Sequence, residues 1–489
     1  MSLLLGVDVG TTGAKALLVD RQGAVHGKGY REYPLLPGPG GRVEQRADDW
    51  WDAAVFAVRA ALAGQDARQV CALSLSTQGA SMLAVDDAYR PLGSAITWMD
   101  TRAEEESRQL DRAVGGEAIY RKSGWGLGPD LDAAKILWLR RHEPETFAAA
   151  RSFVSTLELL NVRLTGRNVI DPTNAAIRQL MDIGTGRWDP DVLQAVGVEE
   201  DRLPVIAPTG AYLGTLTART AALLGLPETV RVYNGAHDQY CAALGCGAVR
   251  AGDALLSTGT TWVLLAVTDK LLYTQSRVAP GIHPVPGLYG AMASMVSAGC
   301  ALKWYRELVS GAYAEFDRVA ADRRQTAADL LFYPYVAGAG FPQRDAGLGG
   351  VAAGLRLTHD RYDLALALME GVAFEARRMV DELRAAGASV DTLYMSGGAA
   401  KSALWAGLTA AATGCRLLRM REDEACCMGA AMIAAVGAGV YPDYAAAAAA
   451  MVSGQPMPEP TAEDRAFYEE KFGRYRRGLP AVRALCKGE

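Results

Sequence analysis

Two short stretches of this chain carry the residues best suited to chemistry. "GVDVGTTGAK" (6–15) sets Asp8 ahead of a Gly-Thr-Thr turn and places Thr11, Thr12 and Lys15 in or just after it. "LSTGTTWVLL" (256–265) repeats the turn, with Thr260 inside it. One copy could simply join two strands. Two copies between apolar runs point to ligand binding, because glycines let a ligand approach the backbone and bare N–H groups with threonine hydroxyls form an anion cradle. Asp8 is a hard oxygen donor able to hold Mg2+ directly or through water. The pattern predicts a polyphosphate gripped from two sides, one turn per domain. A third stretch, "NGAHDQYCAALG" (234–245), offers Asp238, a carboxylate able to take a proton from a hydroxyl, or else to cap the Ala-rich segment behind it. A fourth, "SGGAAKSALW" (396–405), places a glycine pair between a strand and a helix, suited to packing against adenine or ribose. A Walker loop is missing, since the only Gly-Lys pair, Gly27-Lys28, is followed by Gly.

Elements must hold these residues in place. "LLLGVDV" and "AKALLVD" read as strands around the first turn, with a third strand in "AVHGKGYREYPLL". "ADDWWDAAVFAVRAALAG" has helical spacing, with Asp48 as its expected N-cap and Gly64 as its stop. "VCALSLSTQ" (70–78) reads as a buried strand ending in polar residues. The second turn is again flanked by strands. Beyond it, "YDLALALMEGVAFEARRMVDELRAAG" stacks Leu364, Leu368, Val372, Ala376 and Val380 at helical intervals. Strand "TLYMS", helix "SALWAGLTAAATG", strand "CRLLRM" and the Ala/Gly-rich helix "ACCMGAAMIAAVGAG" follow. The mixture predicts an α/β protein with mixed sheets, and the shared opening element suggests a duplicated unit. The expected division is 1–246 and 247–489.

Bulk properties set the remaining bounds. The 489 residues exceed what one core usually serves, so two domains are expected. Net charge is −5 and no basic stripe occurs, which argues against nucleic acid or an anionic membrane as partner. Eight scattered cysteines match no zinc or redox spacing and suit a reducing cytosol. "MSLLLGVDVG" has no basic leader, and no apolar run is long enough to span a bilayer, so the expected location is cytoplasmic.

Taken in order, "GVDVGTTGAK", "NGAHDQYCAALG", "LSTGTTWVLL" and "SGGAAKSALW" resemble the FGGY carbohydrate kinases, and "ITWMDTRAEEE", "KILWLRRHEPE", "SAGCALKWYRE" and "GGVAAGLRLTHDRYDLALALMEGV" extend the resemblance over nearly the whole chain. The layout is most similar to the xylulokinases. The resemblance implies two actin/Hsp70-like (ribonuclease H-like) domains with a nucleotide cleft between them, and ATP and Mg2+ as cofactors. It implies Asp238 as general base, and Asp8 with Asp238 on the metal. It places Thr11, Thr12, Lys15 and Thr260 on the phosphates, Gly299 and Lys303 along the nucleotide, and Gly398 and Ser402 at the adenosine. Gln78, Gly79, Trp98, Asp100, Asp238 and Gln239 would line the acceptor pocket. Trp98 could pack on a sugar's apolar face and Asp100 could accept hydroxyl hydrogen bonds; both residues read equally well as ordinary core or turn. Cytosolic dimers are common in that family, though no segment here marks an interface.

Three departures bear on the acceptor. After the strand at 70–78, xylulokinases usually carry Gln-Met-His-Gly, whereas this chain reads "STQGASML", with Gly79 and Ala80 in place of the Met-His pair. "HDQ" replaces their Asp-Asn, and His237 is expected to pack or to orient Asp238 rather than to bind a metal. Lys135 and Trp138 match a family signature in which Asp132 is unusual. The expected activity is ATP-dependent phosphorylation of a ketopentose such as xylulose. Another polyol or ketose (glycerol, a pentitol or a hexulose) is the alternative acceptor, and an actin- or Hsp70-like ATPase or a degenerate sensor is the alternative class.

Overall fold

A computed structural model of the chain describes residues 2–342 and 344–487, and its first element is the strand Leu3–Val9. This strand turns through Gly10–Thr12 into the antiparallel strand Gly13–Val19. Both are buried on both faces, which explains why neither shows an alternating pattern. Val25–Glu32 forms an exposed edge beside the second strand. On the other side Val70–Thr77 runs parallel to the first strand, and Arg231–His237 runs parallel to Val70–Thr77. Tyr212–Thr215 closes that edge antiparallel, giving the mixed six-stranded sheet expected from the sequence.

The period of two along Leu3–Val9 selects what covers each face. Leu3, Leu5, Val7 and Val9 join Trp50, Ala53, Ala54 and Ala57 of the helix Ala47–Ala61 in one core. That helix begins two residues earlier than expected. Arg46 is its N-cap, and Asp48 sits in the first turn, where its charge favours the positive end of the helix dipole. Leu4, on the opposite face, packs with Cys427, Met428, Ala431 and Met432 from the Ala/Gly-rich helix Ala425–Gly437. There the spacing is too small for side chains. A Cβ at Gly6 would lie 1.9 Å from the Cys427 carbonyl oxygen, one at Gly245 1.9 Å from that of Ala425, and one at Gly429 1.8 Å from that of Cys241.

This close packing decides how the chain divides. The first compact unit comprises 1–249 together with 279–290 and 424–452, and the second comprises 250–278, 291–423 and 453–489. The helix Ala425–Gly437, assigned by sequence order to the second half, packs within the first unit.

In the second unit Gly252–Thr258 and Trp262–Thr268 repeat the hairpin, and Val390–Gly397 runs parallel to the first of them. Arg416–Met420 and then Gly454–Pro456 extend that sheet. Each unit therefore opens with a hairpin whose first strand takes a parallel neighbour, as duplication of one element predicts. The helix Arg361–Ala385 crosses this core, with Asp360 and Asp363 forming a capping box at its start. Among the described residues all eight cysteines are free, and no helix is long and apolar enough to cross a membrane.

Candidate active site

The parallel register brings three of the polar residues to one end of the first sheet. Asp8 lies opposite Ser76, and Ser76 lies opposite Ala236, two residues before Asp238. The Ser76 hydroxyl donates to Asp8 Oδ1 at 2.7 Å. Burial pushes the Asp8 carboxyl up to about 7; the Ser76 hydrogen bond and Lys15 oppose this, while the charges of Asp238 and Glu424 add to it. Lys15 Nζ is 2.7 Å from Glu424 Oε2, at the start of the Ala/Gly-rich helix. Burial lowers the Lys15 pKa, but the hydrogen bond and charge of Glu424, with Asp8 behind them, outweigh it and keep the ammonium charged. Three carboxylates and one cation thus share a partly dry site, a concentration of perturbed charge of the kind found at functional sites.

The first turn is held from its flanks. Gly10 N–H bonds Gly13 O across it at 3.1 Å, and the buried Tyr33 hydroxyl donates to the Gly10 carbonyl. Gln45 Nε2 donates to the Thr11 carbonyl at 2.7 Å, while Gln45 Oε1 accepts from Trp50 and from Gln78 Nε2, each at 3.0 Å. Trp98 stands 42% exposed with its indole N–H on the Thr11 hydroxyl at 2.8 Å, so it braces the turn as well as presenting an open ring. Gln78 keeps one buried side-chain oxygen without a hydrogen-bond partner, as does Gln239. Asp100 differs from expectation. It is fully buried, with Oδ1 taken by Arg102 and Oδ2 by the Val43 N–H and Arg102. Both oxygens being filled, Asp100 is a strut under the loop and offers nothing to a substrate hydroxyl.

Asp238 opens the helix Asp238–Cys246 in its first turn, where a carboxylate is favoured, and His237 rather than Asp238 holds the N-cap position. His237 Nε2 lies 3.3 Å from Asp238 Oδ1, while its buried Nδ1 has no partner. Its backbone N–H donates to the Thr173 hydroxyl at 2.8 Å, which in turn donates to the buried Asp171 at 2.7 Å. A Cβ at Gly79 would fall 2.6 Å from His237 Cδ2. Behind the loop, buried Lys135 donates to the Ala80 carbonyl at 2.7 Å. Burial, opposed by Asp132 and other carboxylates, lowers its pKa to about 8. Asp132 pairs with the fully buried Arg178 at 2.8 Å, and Arg178 reaches Glu158 at 3.1 Å. The unusual aspartate thus belongs to an internal ion cluster.

In the second unit, Gly259, Thr260 and Thr261 are exposed at the hairpin tip above the fully buried Trp262. Cys300 N–H bonds the Thr260 carbonyl at 2.9 Å, and a Cβ at Gly299 would sit 2.2 Å from the Gly259 carbonyl, so the helix Gly299–Leu308 starts against the turn itself. Lys303 is exposed on that helix. Gly397 takes a φ of +98° where the parallel strand ends against Thr258 O, and Gly398 is exposed beyond it. Ser402 caps the helix Ala403–Thr413 and donates to Asp317 at 2.7 Å, so its hydroxyl already has a structural partner.

A divalent cation has one suitable anchor here. Among the described residues no group of three or more His, Cys, Asp or Glu could hold a metal, so an all-protein cage is lacking. A single buried carboxylate repelled by two others does fit Mg2+, which keeps several waters and takes phosphate oxygens as its remaining ligands. Sequence reasoning missed Ser76, Tyr33, Gln45, Thr173 and Glu424. Only the polar ending of the strand at 70–78 hinted at the first of them.

Residues 3–245 match the N-terminal domain, and 254–438 the C-terminal domain, of the FGGY family of carbohydrate kinases. A xylulose kinase of Escherichia coli is 30% identical, over 89% of this chain and 90% of its own. A solved xyloylose kinase from Brucella ovis superposes with a TM-score of 0.92 at 29% identity, covering 99% of this chain and 100% of its own. A gluconate kinase from Lactobacillus acidophilus has a TM-score of 0.91 at 24% identity, covering 98% of each chain, and so shares the fold.

Proposed function

The chain belongs to the FGGY family of carbohydrate kinases, and on that premise we propose that it transfers the terminal phosphoryl group of ATP to a hydroxyl of a ketopentose of the xylulose type. The observation that carries this reading is the register that sets Asp8, Ser76 and Asp238 at one sheet end with Lys15 beside them. Asp238 accepts the proton of the attacking hydroxyl as its oxygen bonds to phosphorus, and ADP leaves. Such general-base help is typically worth ~10²–10⁴-fold. Thr11, Thr12 and Lys15 are the phosphate-binding residues of the first unit, and Thr260 is the corresponding residue of the second. For Lys15 this means exchanging Glu424 for phosphate. Mg2+, held by Asp8 with Asp238 nearby, would neutralise charge on the transferring group. Gly299, Lys303 and Gly398 line the nucleoside, while Gln78, Gly79, Trp98 and Gln239 line the acceptor.

The test is ADP release from Mg-ATP over D-xylulose, D-ribulose, pentitols, glycerol, gluconate and hexuloses, with the phosphorylated product identified. Sugar-dependent turnover, fastest with a ketopentose, is expected. Turnover that ignores the sugar would instead favour an ATPase. Asp238→Ala should abolish transfer while Mg-ADP still binds, and near-wild-type kcat in that variant would remove Asp238 from the role of base.

A further inference from the structure

Gly79 and His237 belong to different elements but compete for one volume. A side chain at 79 would start 2.6 Å from Cδ2 and 2.9 Å from Nε2 of the imidazole, far inside van der Waals contact, with Ile177 Cδ1 at 3.0 Å closing the third side. The imidazole therefore stands where a larger residue 79 would have to go. It is also tightly placed. His237 is 7% exposed, its backbone N–H is fixed by Thr173, and its ring packs edge-on at 6.2 Å from Tyr240. Nδ1 is buried without a partner, which favours the tautomer carrying its proton on Nε2, the nitrogen 3.3 Å from Asp238 Oδ1. At that distance the two groups are close without a formed hydrogen bond, and catalytic contacts that are long in a free enzyme tighten when a reacting complex forms.

We propose that His237 is a positioning residue for the phosphoryl transfer, fixing the Asp238 carboxylate through Nε2–H, and that Gly79 is its obligate steric partner. The inference rests on the reading of Asp238 as the base. One carboxylate oxygen is tied to the imidazole and the other is left to meet the acceptor hydroxyl. Positions 79 and 237 then act as one unit.

The experiment measures kcat and the KM for ATP with the fastest acceptor of the panel above, for His237→Ala, His237→Gln, Gly79→Ala and the Gly79→Ala/His237→Ala double variant. His237→Ala should lower kcat roughly 10- to 100-fold, the range expected when a reacting group loses its alignment, with the KM for ATP unchanged. His237→Gln, which keeps an N–H donor, should recover part of the loss. Gly79→Ala should be nearly as slow as His237→Ala, and the double variant no slower than His237→Ala alone, because the two changes act through one contact. Additive losses, or full kcat in His237→Ala, overturn the proposal. If Asp238→Ala is inactive while His237→Ala keeps full kcat, the positioning role falls and the base survives. If no acceptor is phosphorylated, both fall together.

Discussion

Asp8 shows at the scale of one residue how a site can oppose the fold that holds it. Its carboxyl is raised to about 7, so the folded state resists ionisation that the unfolded chain undergoes near pH 4. The penalty is absent below pH 4, grows as pH rises from 4 to 7, and is complete above that. Asp8→Asn, which mimics the neutral form, should therefore melt at a higher temperature than the native protein at pH 8. The upper bound is about 4 kcal/mol, shrinking to nothing near pH 4, and phosphoryl transfer should be lost. Thermal melts across that range check the sign, and a native protein as stable as the variant at pH 8 would contradict it. Asp8 and Asp238 stood out in the sequence as carboxylates within short polar motifs, and the role expected of Lys15 came with the resemblance. Ser76, Thr173 and Glu424 did not stand out, because a hydroxyl or carboxylate gains its meaning from a partner that only strand register supplies. Asp100 misled for the same reason, since Arg102 and the Val43 N–H fill its oxygens.

Elements were read more faithfully than contacts. The strands at 3–9 and 70–77 lie where their apolar runs put them, the helix at 361–385 follows its helical spacing, and the misplaced cap at Asp48 is an error of two residues. Packing between elements was hidden, because glycine marks a close approach without saying what approaches. Gly429→Ala should destabilise the first unit by ~1–3 kcal/mol or more, since the added methyl meets a carbonyl that belongs to a packed helix. Urea titration with a probe in the first unit measures it. The ion cluster around Arg178 makes a second prediction at this scale. Arg178→Ala leaves Asp132 and Glu158 buried without their cation and should cost about 3–5 kcal/mol, read as a lowered midpoint in the same titration. The cluster also explains how an aspartate is tolerated at 132.

The whole molecule is not two beads in sequence order. The chain passes between its units after residues 249, 278, 290, 423 and 452. A fragment ending at 249 lacks the helix that covers Leu4, Leu17, Val19 and Tyr233, and should expose that face. Expressed alone it should bind a hydrophobic dye and fail to give a cooperative melt, whereas the full chain should do neither. A cooperative, dye-silent fragment would show that the sheet does not need its distant helix. The contiguous division at 246 follows family order and the change of hairpin, and no local pattern reveals that a later Ala-rich helix folds back.

That return of the helix constrains how such enzymes can be recombined. A chimera joined near residue 246 would lay one parent's small-residue helix on the other parent's sheet, where Gly6, Gly245 and Gly429 must coincide to within a methyl group. Exchanges that carry 424–452 along with the N-terminal part should yield folded hybrids, and cuts that follow sequence order alone should not.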